Sequence, residues 1–415
     1  MSDIADPSLA EAGAAGIDWA DAQMPVLRSI RERFAAQRPL EGLTVAACLH
    51  VTAETALLVR SLVAGGARVA LCAANPLATR DEVAAALALD DGVEVFARRG
   101  EDLDTLAGHV ADVLDQRPHI TLDDGADLLV TLHGARPDLL DGLLGGTEET
   151  TSGLVRLRAM QADDRLRCPV LAVNEARAER VLNDHYGTGQ STLDGILRAT
   201  NLLLAGRTVV VLGYGPTGRG IALRARGAGA QVIVCEIDPV PALDARMEGF
   251  EVLPSLQAAD RGDIFITVTG APGVLGAEHF ARMKDGAVLA NAGHFDVEID
   301  LAALREVGGA PAPVRPLVAQ YVLADGRRLN LLAAGRVVNL AAGEGHPASV
   351  MDLSFALQAL SVEHLASTDG RTLGPGVHPV PDAIDREVAR LKLRSLGVEL
   401  DTLTDEQRRY LRRWQ

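Results

Sequence analysis

The sequence predicts an α/β fold built on two parallel sheets, and three observations carry that reading. Short apolar runs rich in β-branched residues alternate with Ala- and Leu-rich stretches, the rhythm of βαβ units. That alternation runs twice, a second block starting near residue 190. The 415 residues also exceed a single domain of the usual ~100–200, so two or three hydrophobic cores fit the length.

An acidic leader of small residues precedes 18–38, where apolar residues at helical spacing among charges predict one surface helix. Strands are expected at 44–49 (TVAACL), 68–73 (RVALCA), 93–97 (VEVFA) and 127–132 (DLLVTL), with helices between them. The second block, reaching about residue 344, has strand candidates at 207–212, 231–236, 264–268 and 287–291. Gly and Pro crowd 369–382, which reads as a connector, and a charged helical tail follows it.

Composition narrows the function. Apolar residues make up 48% and mean hydropathy is slightly positive, which excludes a disordered chain. Aromatics are only 3% and the net charge is −16, so neither a base-stacking platform nor a phosphate-binding basic surface is present, and no nucleic-acid partner is expected. Cys48, Cys72, Cys168 and Cys235 stand apart inside or beside apolar runs, without metal-ligand or CxxC spacing; buried free thiols and no metal follow. A basic leader with an apolar stretch is missing, as is a run of about 18 apolar residues, so a cytoplasmic protein without a membrane partner is expected. Lys284 and Lys392 are the only lysines among 40 basic residues. His109, His119, His185 and His364 carry no motif and are expected at the surface.

The string RTVVVLGYGPTGRG sets Gly213, Gly215 and Gly218 between a buried strand and a helical stretch. Gly213 permits the tight turn, Gly215 leaves room for a pyrophosphate, and Gly218 lets helix and strand pack closely. The next strand ends at Glu236, where a carboxylate accepts from ribose hydroxyls; no arginine follows it directly, so NAD is expected over NADP. This half of the chain thus reads as Rossmann-like.

The strings CLHVTAETALL, LDDGADL, TEETTSGL, YGTGQSTLDGILRAT, GYGPTGRG, EIDP, NAGHFDVEID and NLAAGEGHP follow one another along nearly the whole chain. In order and spacing they resemble the adenosylhomocysteinase family. The resemblance implies two Rossmann-like lobes, to which the charged sequence after the connector adds a short helical C-terminal tail. A discontinuous substrate lobe would comprise 1–180 with 345–385, an NAD lobe 190–344, and the tail 386–415. It also implies a retained NAD and a reaction on an adenine nucleoside: transient oxidation of a sugar hydroxyl, removal of the neighbouring proton and β-elimination at the 5′ position.

Carried over by matching motif, Thr52 and Glu54 bind the adenine edge, His50 handles a proton near the 5′ carbon, and Asp124 is the base at the 4′ carbon. Glu149 binds the sugar, His346 lies beside the adenine, and Met351 and Phe355 form apolar walls. Thr150, Thr151, Ser152, Thr269, His294 and Asn339 match positions around the nicotinamide, with His294 a second candidate acid.

One stretch departs from the family. In NEARAERVLNDHYG the family's catalytic lysine is Glu179, its following Asp is Asn183, and the Asn after that is Asp184, here assigned to the cofactor side. Thr188 replaces a Cys and Arg80 a Gln. An arginine stays protonated and does not act as a lysine-like base, so Glu179 is the candidate base, and its i, i+4 spacing to Asn183 sets both on one helix face. These exchanges predict an NAD-dependent nucleoside dehydratase of antibiotic biosynthesis, expelling water with His50 or His294 as acid. The alternatives are S-adenosyl-L-homocysteine hydrolysis with a carboxylate replacing the lysine, and a non-catalytic relative that holds NAD and a nucleoside for regulation. A small-molecule adenine nucleoside is the expected partner, in a homo-oligomer of two or four chains.

Overall fold

A computed structural model describes residues 2–293, 296–367 and 372–414. Its strands are β1 (Asp3–Ile4), β2 (Thr44–Leu49), β3 (Arg68–Ala73), β4 (Glu94–Ala97), β5 (Ile120–Asp123), β6 (Gly145–Glu148), β7 (Pro169–Ala172) and β8 (Thr208–Leu212). There follow β9 (Gln231–Cys235), β10 (Glu251–Val252), β11 (Ile264–Thr267), β12 (Ala287–Asn291), β13 (Ala312–Arg315), β14 (Val318–Val322), β15 (Arg328–Leu332) and β16 (Gly376–Pro379). They form two eight-stranded sheets, β1-β4-β3-β2-β5-β6-β7-β16 and β10-β9-β8-β11-β12-β15-β14-β13. Every pair in the first sheet is parallel; in the second only β13–β14 and β14–β15 are antiparallel.

The central strands are buried on both faces, as parallel strands covered by helices must be. In β2, Val45, Ala47 and Leu49 pack into one apolar cluster while Ala46 and Cys48 pack into another on the opposite face. The second sheet is likewise sandwiched: Val209 and Val211 lie in one cluster, Val210 and Leu212 in another. All four cysteines are buried and unpaired. No helix of the described residues is long and apolar enough to cross a membrane.

Four sequence expectations are corrected. The run 127–132 is not a strand: the strand is β5, and Asp127–Gly134 is a helix reached through left-handed Gly125 (φ 123°) and Ala126 (φ 66°). Its first free N–H groups, at Leu128 and Leu129, donate to the buried Asp123 carboxylate at 2.9 and 3.1 Å. The single helix at 18–38 is two, Ala10–Asp21 and Pro25–Gln37, because Pro25 opens the second, whose Val26 and Leu27 N–H groups are capped by Asp352. Within the Gly- and Pro-rich connector, β16 pairs with β7. His109 is buried, not at the surface, with Glu101 at 2.9 Å and Asp3 at 3.2 Å.

The charged segment after the connector is partly built into the fold. The helix Asp382–Ser395 buries Asp385, whose carboxylate accepts from the N–H groups of Arg177 and Ala178 at 3.1 and 3.0 Å. It thereby holds the start of a π-helix, Glu179–Thr188, that carries the family departures. Beyond it residues 396–414, including the helix Asp405–Leu411, are exposed throughout.

Candidate active site

In an open parallel sheet, ligands bind beyond the carboxyl ends of the strands where the strand order reverses. The first sheet reverses between β2 and β5, whose register sets Cys48 beside Asp123, with Glu148 of β6 next in line. His50, Asp124 and Glu149 therefore emerge side by side. The second sheet reverses between β8 and β11, from whose ends Gly213 and Thr269 lead. Both crevices open into one cavity of about 730 Å³.

On one side of it, His50 Nε2 lies 3.3 Å from Asp124 Oδ2. His50 Nδ1 is buried without a partner among the described residues. Thr52 caps the helix Ala53–Ala64, accepting from Thr55 N–H at 3.4 Å, and thereby sets Glu54 in its first turn. His346 shares a hydrogen bond of 2.9 Å with Thr188, and burial together with nearby His50 pushes its pKa down to about 4, so the imidazole is neutral. Met351 and Phe355, on the helix Ala348–Ala366, wall the same space.

A cluster of acids lines another side of the cavity. Glu179 is 3% exposed, so it is not a solvated helix residue. Ser354 Oγ donates to or accepts from Glu179 Oε2 at 2.7 Å, receives Asn183 Nδ2 at 3.2 Å, and also meets Glu149 Oε1. Gln358 donates to the other oxygen of Glu149. Glu179 and Asn183 do share a face, but of a π-helix, whose i+5 bonding marks local strain and recurs at functional sites. Burial pushes Glu149 up to about 7 and Asp184 up to about 6, and burial plus the charge of Glu149 pushes Glu179 well above the carboxylate range. Behind them, Glu148 accepts from Gly125 N–H and Thr150 N–H at 2.9 Å each, fixing the loop that presents Asp124 and Glu149.

The residues opposite fit a dinucleotide. A Cβ on Gly218 would lie 2.0 Å from Gly213 O, which is the close packing that glycine permits, while a Cβ on Gly215 would meet nothing within 4 Å. Gly213 has φ 105°, open to glycine and little else. Glu236 lies just past β9 and outside the cavity lining; its carboxylate accepts from Tyr214, Ile237 and Asp238 N–H groups at 2.7, 2.6 and 3.0 Å. Asn339 Oδ1 and Ser152 Oγ are buried, face the cavity and have no partner among the described residues. Thr150 and Thr151 also line it, Thr151 donating to Asn174 at 2.9 Å.

Among the predicted site residues, His294 lies outside the described residues. Three structural partners escaped the sequence reading. Ser354 and Gln358 lie in an apolar helix, and only their i, i+4 spacing there could have drawn notice. Glu298 is 1% exposed and holds Thr269 through its N–H and hydroxyl at 2.8 and 2.9 Å.

Comparison with known proteins gives concordant results. Residues 2–138 match the family model for S-adenosyl-L-homocysteine hydrolase, and residues 184–345 that for its NAD binding domain. The chain is 55% identical over 413 residues to an adenosylhomocysteinase of Aquifex aeolicus, covering 100% of this chain and 99% of that one. It is 54% identical to an adenosylhomocysteinase of Thermosynechococcus vestitus, covering 99% and 96%. It is also 54% identical to an S-inosyl-L-homocysteine hydrolase of Methanopyrus kandleri, covering 99% and 97%. The crystal structure of a dipicolinate synthase from Bacillus halodurans shares the fold, with TM-score 0.51 and 14% identity over 79% of this chain and 100% of that one. The expectation of a dehydratase is thereby overturned: full-length relatives at this identity are hydrolases of homocysteine thioethers. Exchange of a few polar residues was too slender a basis for a different leaving group.

Proposed function

The chain belongs to the S-adenosyl-L-homocysteine hydrolase family and carries its NAD-binding domain, and from that premise we propose that it hydrolyses S-adenosyl-L-homocysteine reversibly to adenosine and homocysteine. The single observation that supports this most is the His50–Asp124 pair, 3.3 Å apart, on a cavity shared by the purine-side residues Glu54 and His346 and by the glycine loop.

In this reading Glu54 and Thr52 accept from the purine edge, and neutral His346 packs beside it. Asp124 removes the proton at the 4′ carbon, and His50, with Nε2 3.3 Å from it, delivers a proton to the departing thiolate. Gly215 and the following helix receive the pyrophosphate, Glu236 the ribose hydroxyls, and Thr150, Thr269 and Asn339 the nicotinamide end. Bound NAD supplies a hydride acceptor that is restored within each cycle, so turnover needs no outside oxidant. The lobes divide at about residues 180–190 and 345, and the enzyme works as a homo-oligomer.

Incubation of the purified protein with S-adenosyl-L-homocysteine, with thiol capture of homocysteine and mass detection of adenosine, tests the reading. Release of both products is expected. Release from S-inosyl-L-homocysteine alone would move the substrate to the inosine series, and release from neither would refute the proposal.

A further inference from the structure

Ser354 Oγ carries one hydrogen and two lone pairs, yet three polar groups surround it. Asn183 Nδ2, at 3.2 Å, donates to it. The remaining two neighbours are carboxyl oxygens, Glu179 Oε2 at 2.7 Å and Glu149 Oε1. The hydroxyl hydrogen satisfies only one of them. The other meets a lone pair and makes a hydrogen bond only if that carboxyl is itself protonated. Ser354 is fully buried and Glu179 3% exposed, so the contact between them is shielded from bulk solvent. Both carboxyl groups also face the cavity, on the side where the family resemblance sets the sugar.

We propose that Glu149 and Glu179 form one carboxyl pair that holds a single proton across Ser354 Oγ, and that this pair takes up the proton leaving the sugar hydroxyl during its oxidation. The proposal rests on the nucleoside reading above. In the step, the hydroxyl O–H bond breaks and a carboxyl O–H bond forms; the carbon's hydride goes to the nicotinamide dinucleotide and the carbon becomes a ketone. The pair passes from one proton to two, from a net charge of −1 to neutral. The final reduction returns the proton by the same route. Asn183 and Gln358 are positioning residues: Asn183 fixes the hydroxyl's orientation, and Gln358 fixes Glu149.

The groups facing the pair come from several elements and are mostly acids. Asp124 stands past β5, Asp184 is on the π-helix, and Asp385 is on the helix Asp382–Ser395, while His50 and His346 line the same cavity. Like charge and burial both favour retention of the shared proton, consistent with the upward pKa shifts of both glutamates.

Infrared spectroscopy of substrate-free protein labelled with ¹³C-carboxyl glutamate reads the proton directly. At pH 7 the wild type is expected to show a protonated buried carboxyl band that disappears in both Glu149→Gln and Glu179→Gln. Any band of Glu148 persists in both and serves as reference. A band unchanged in either variant, or both carboxylates ionised in the wild type, would overturn the proposal. Stopped-flow absorbance of dinucleotide reduction on mixing with adenosine supplies a pH profile. Glu179→Gln and Ser354→Ala are expected to slow this phase about 100-fold at pH 7 and to shift its pH midpoint by at least about one unit. A slowed phase with the wild-type midpoint in both variants would reduce the pair to a structural role. Homocysteine release by the wild type checks the substrate reading separately, because the infrared band does not depend on it.

Discussion

Gly215→Ala separates the dinucleotide cradle from the fold that carries it. The residue has φ −72° and is the N-cap of the helix Pro216–Gly227, and an added Cβ meets nothing within 4 Å. Alanine is therefore accommodated, and stability stays within about 1 kcal/mol, the usual difference between Gly and Ala at an N-cap. Because Gly215 lines the cavity, the new methyl fills space the pyrophosphate requires. Loss of one amide hydrogen bond to a charged group costs about 1.5–3 kcal/mol, which is about 10- to 150-fold in Kd. Gly218→Ala behaves otherwise. Its Cβ would sit 2.0 Å from Gly213 O, where ordinary contact begins at 3.4 Å, so the helix must retreat from β8. Overpacking of that kind costs about 1–3 kcal/mol in stability. Calorimetric titration of dinucleotide-free protein with NAD, together with thermal unfolding, reads both quantities. Wild-type NAD affinity in Gly215→Ala, or a loss of stability equal to that of Gly218→Ala, would refute the argument.

Three further outcomes follow from the same geometry. Asp124→Asn should lower solvent deuterium incorporation at the 4′ carbon by about 10²–10⁴-fold while the initial sugar oxidation persists; unchanged exchange would remove Asp124 from the base role. His346, pushed down to about 4 in the fold, stays neutral while the unfolded imidazole gains a proton below about 6.5. Its contribution to stability is thus complete above pH 6.5 and falls away toward pH 4, by roughly 2 kcal/mol at pH 5. Because the buried acids with raised pKa change stability in the opposite sense in both proteins, the change in urea-unfolding free energy from pH 7 to pH 5 should be less favourable in the wild type than in His346→Gln by about that amount. Equal changes would refute the argument. Glu179→Lys alone introduces an ammonium beside Ser354 without a new acid, whereas Glu179→Lys with Asn183→Asp supplies both. The double variant should therefore exceed the single in homocysteine release by at least about tenfold, and equal rates would reject the coupling of the two positions.

The sheets were legible wherever an apolar run was short and bounded by turns, as in β2, β3, β9 and β12. The run DLLVTL misled because a short, continuous apolar segment has no period to decide between strand and helix. What decides is Asp123, outside the run, whose carboxylate serves the helix's first N–H groups. The site was legible where motifs carried it: the glycine loop, His50 with Asp124, and Glu149. Its buried polar partners were not. Ser354 and Gln358 occupy a helix whose other residues are largely buried, and only the fold reveals that their hydrogen bonds run to acids from two other elements.

The same distinction explains why Glu179 pointed to the wrong reaction. Compared position by position, replacing the family's lysine by an acid reads as loss of the base. The group to compare is the cluster. In the resembling family a lysine and an aspartate adjoin the sugar-binding glutamate, a net charge of −1. Here Glu179, Asp184 and Glu149, with neutral Asn183, carry −3 as carboxylates against −1 for the same four positions of the family, and one proton shared across Ser354 brings them to −2. The shared proton is the cheaper state, since burial and the neighbouring Asp124 and Asp184 both oppose a doubly ionised pair. The exchange of Asp for Asn at residue 183 then acquires a reason: a third carboxylate against Ser354 would add charge that a single hydroxyl hydrogen cannot serve, whereas the amide donates to the lone pair that remains. A proton held on an ammonium in the family is held on a carboxyl here, and the site keeps a titratable base for the same step.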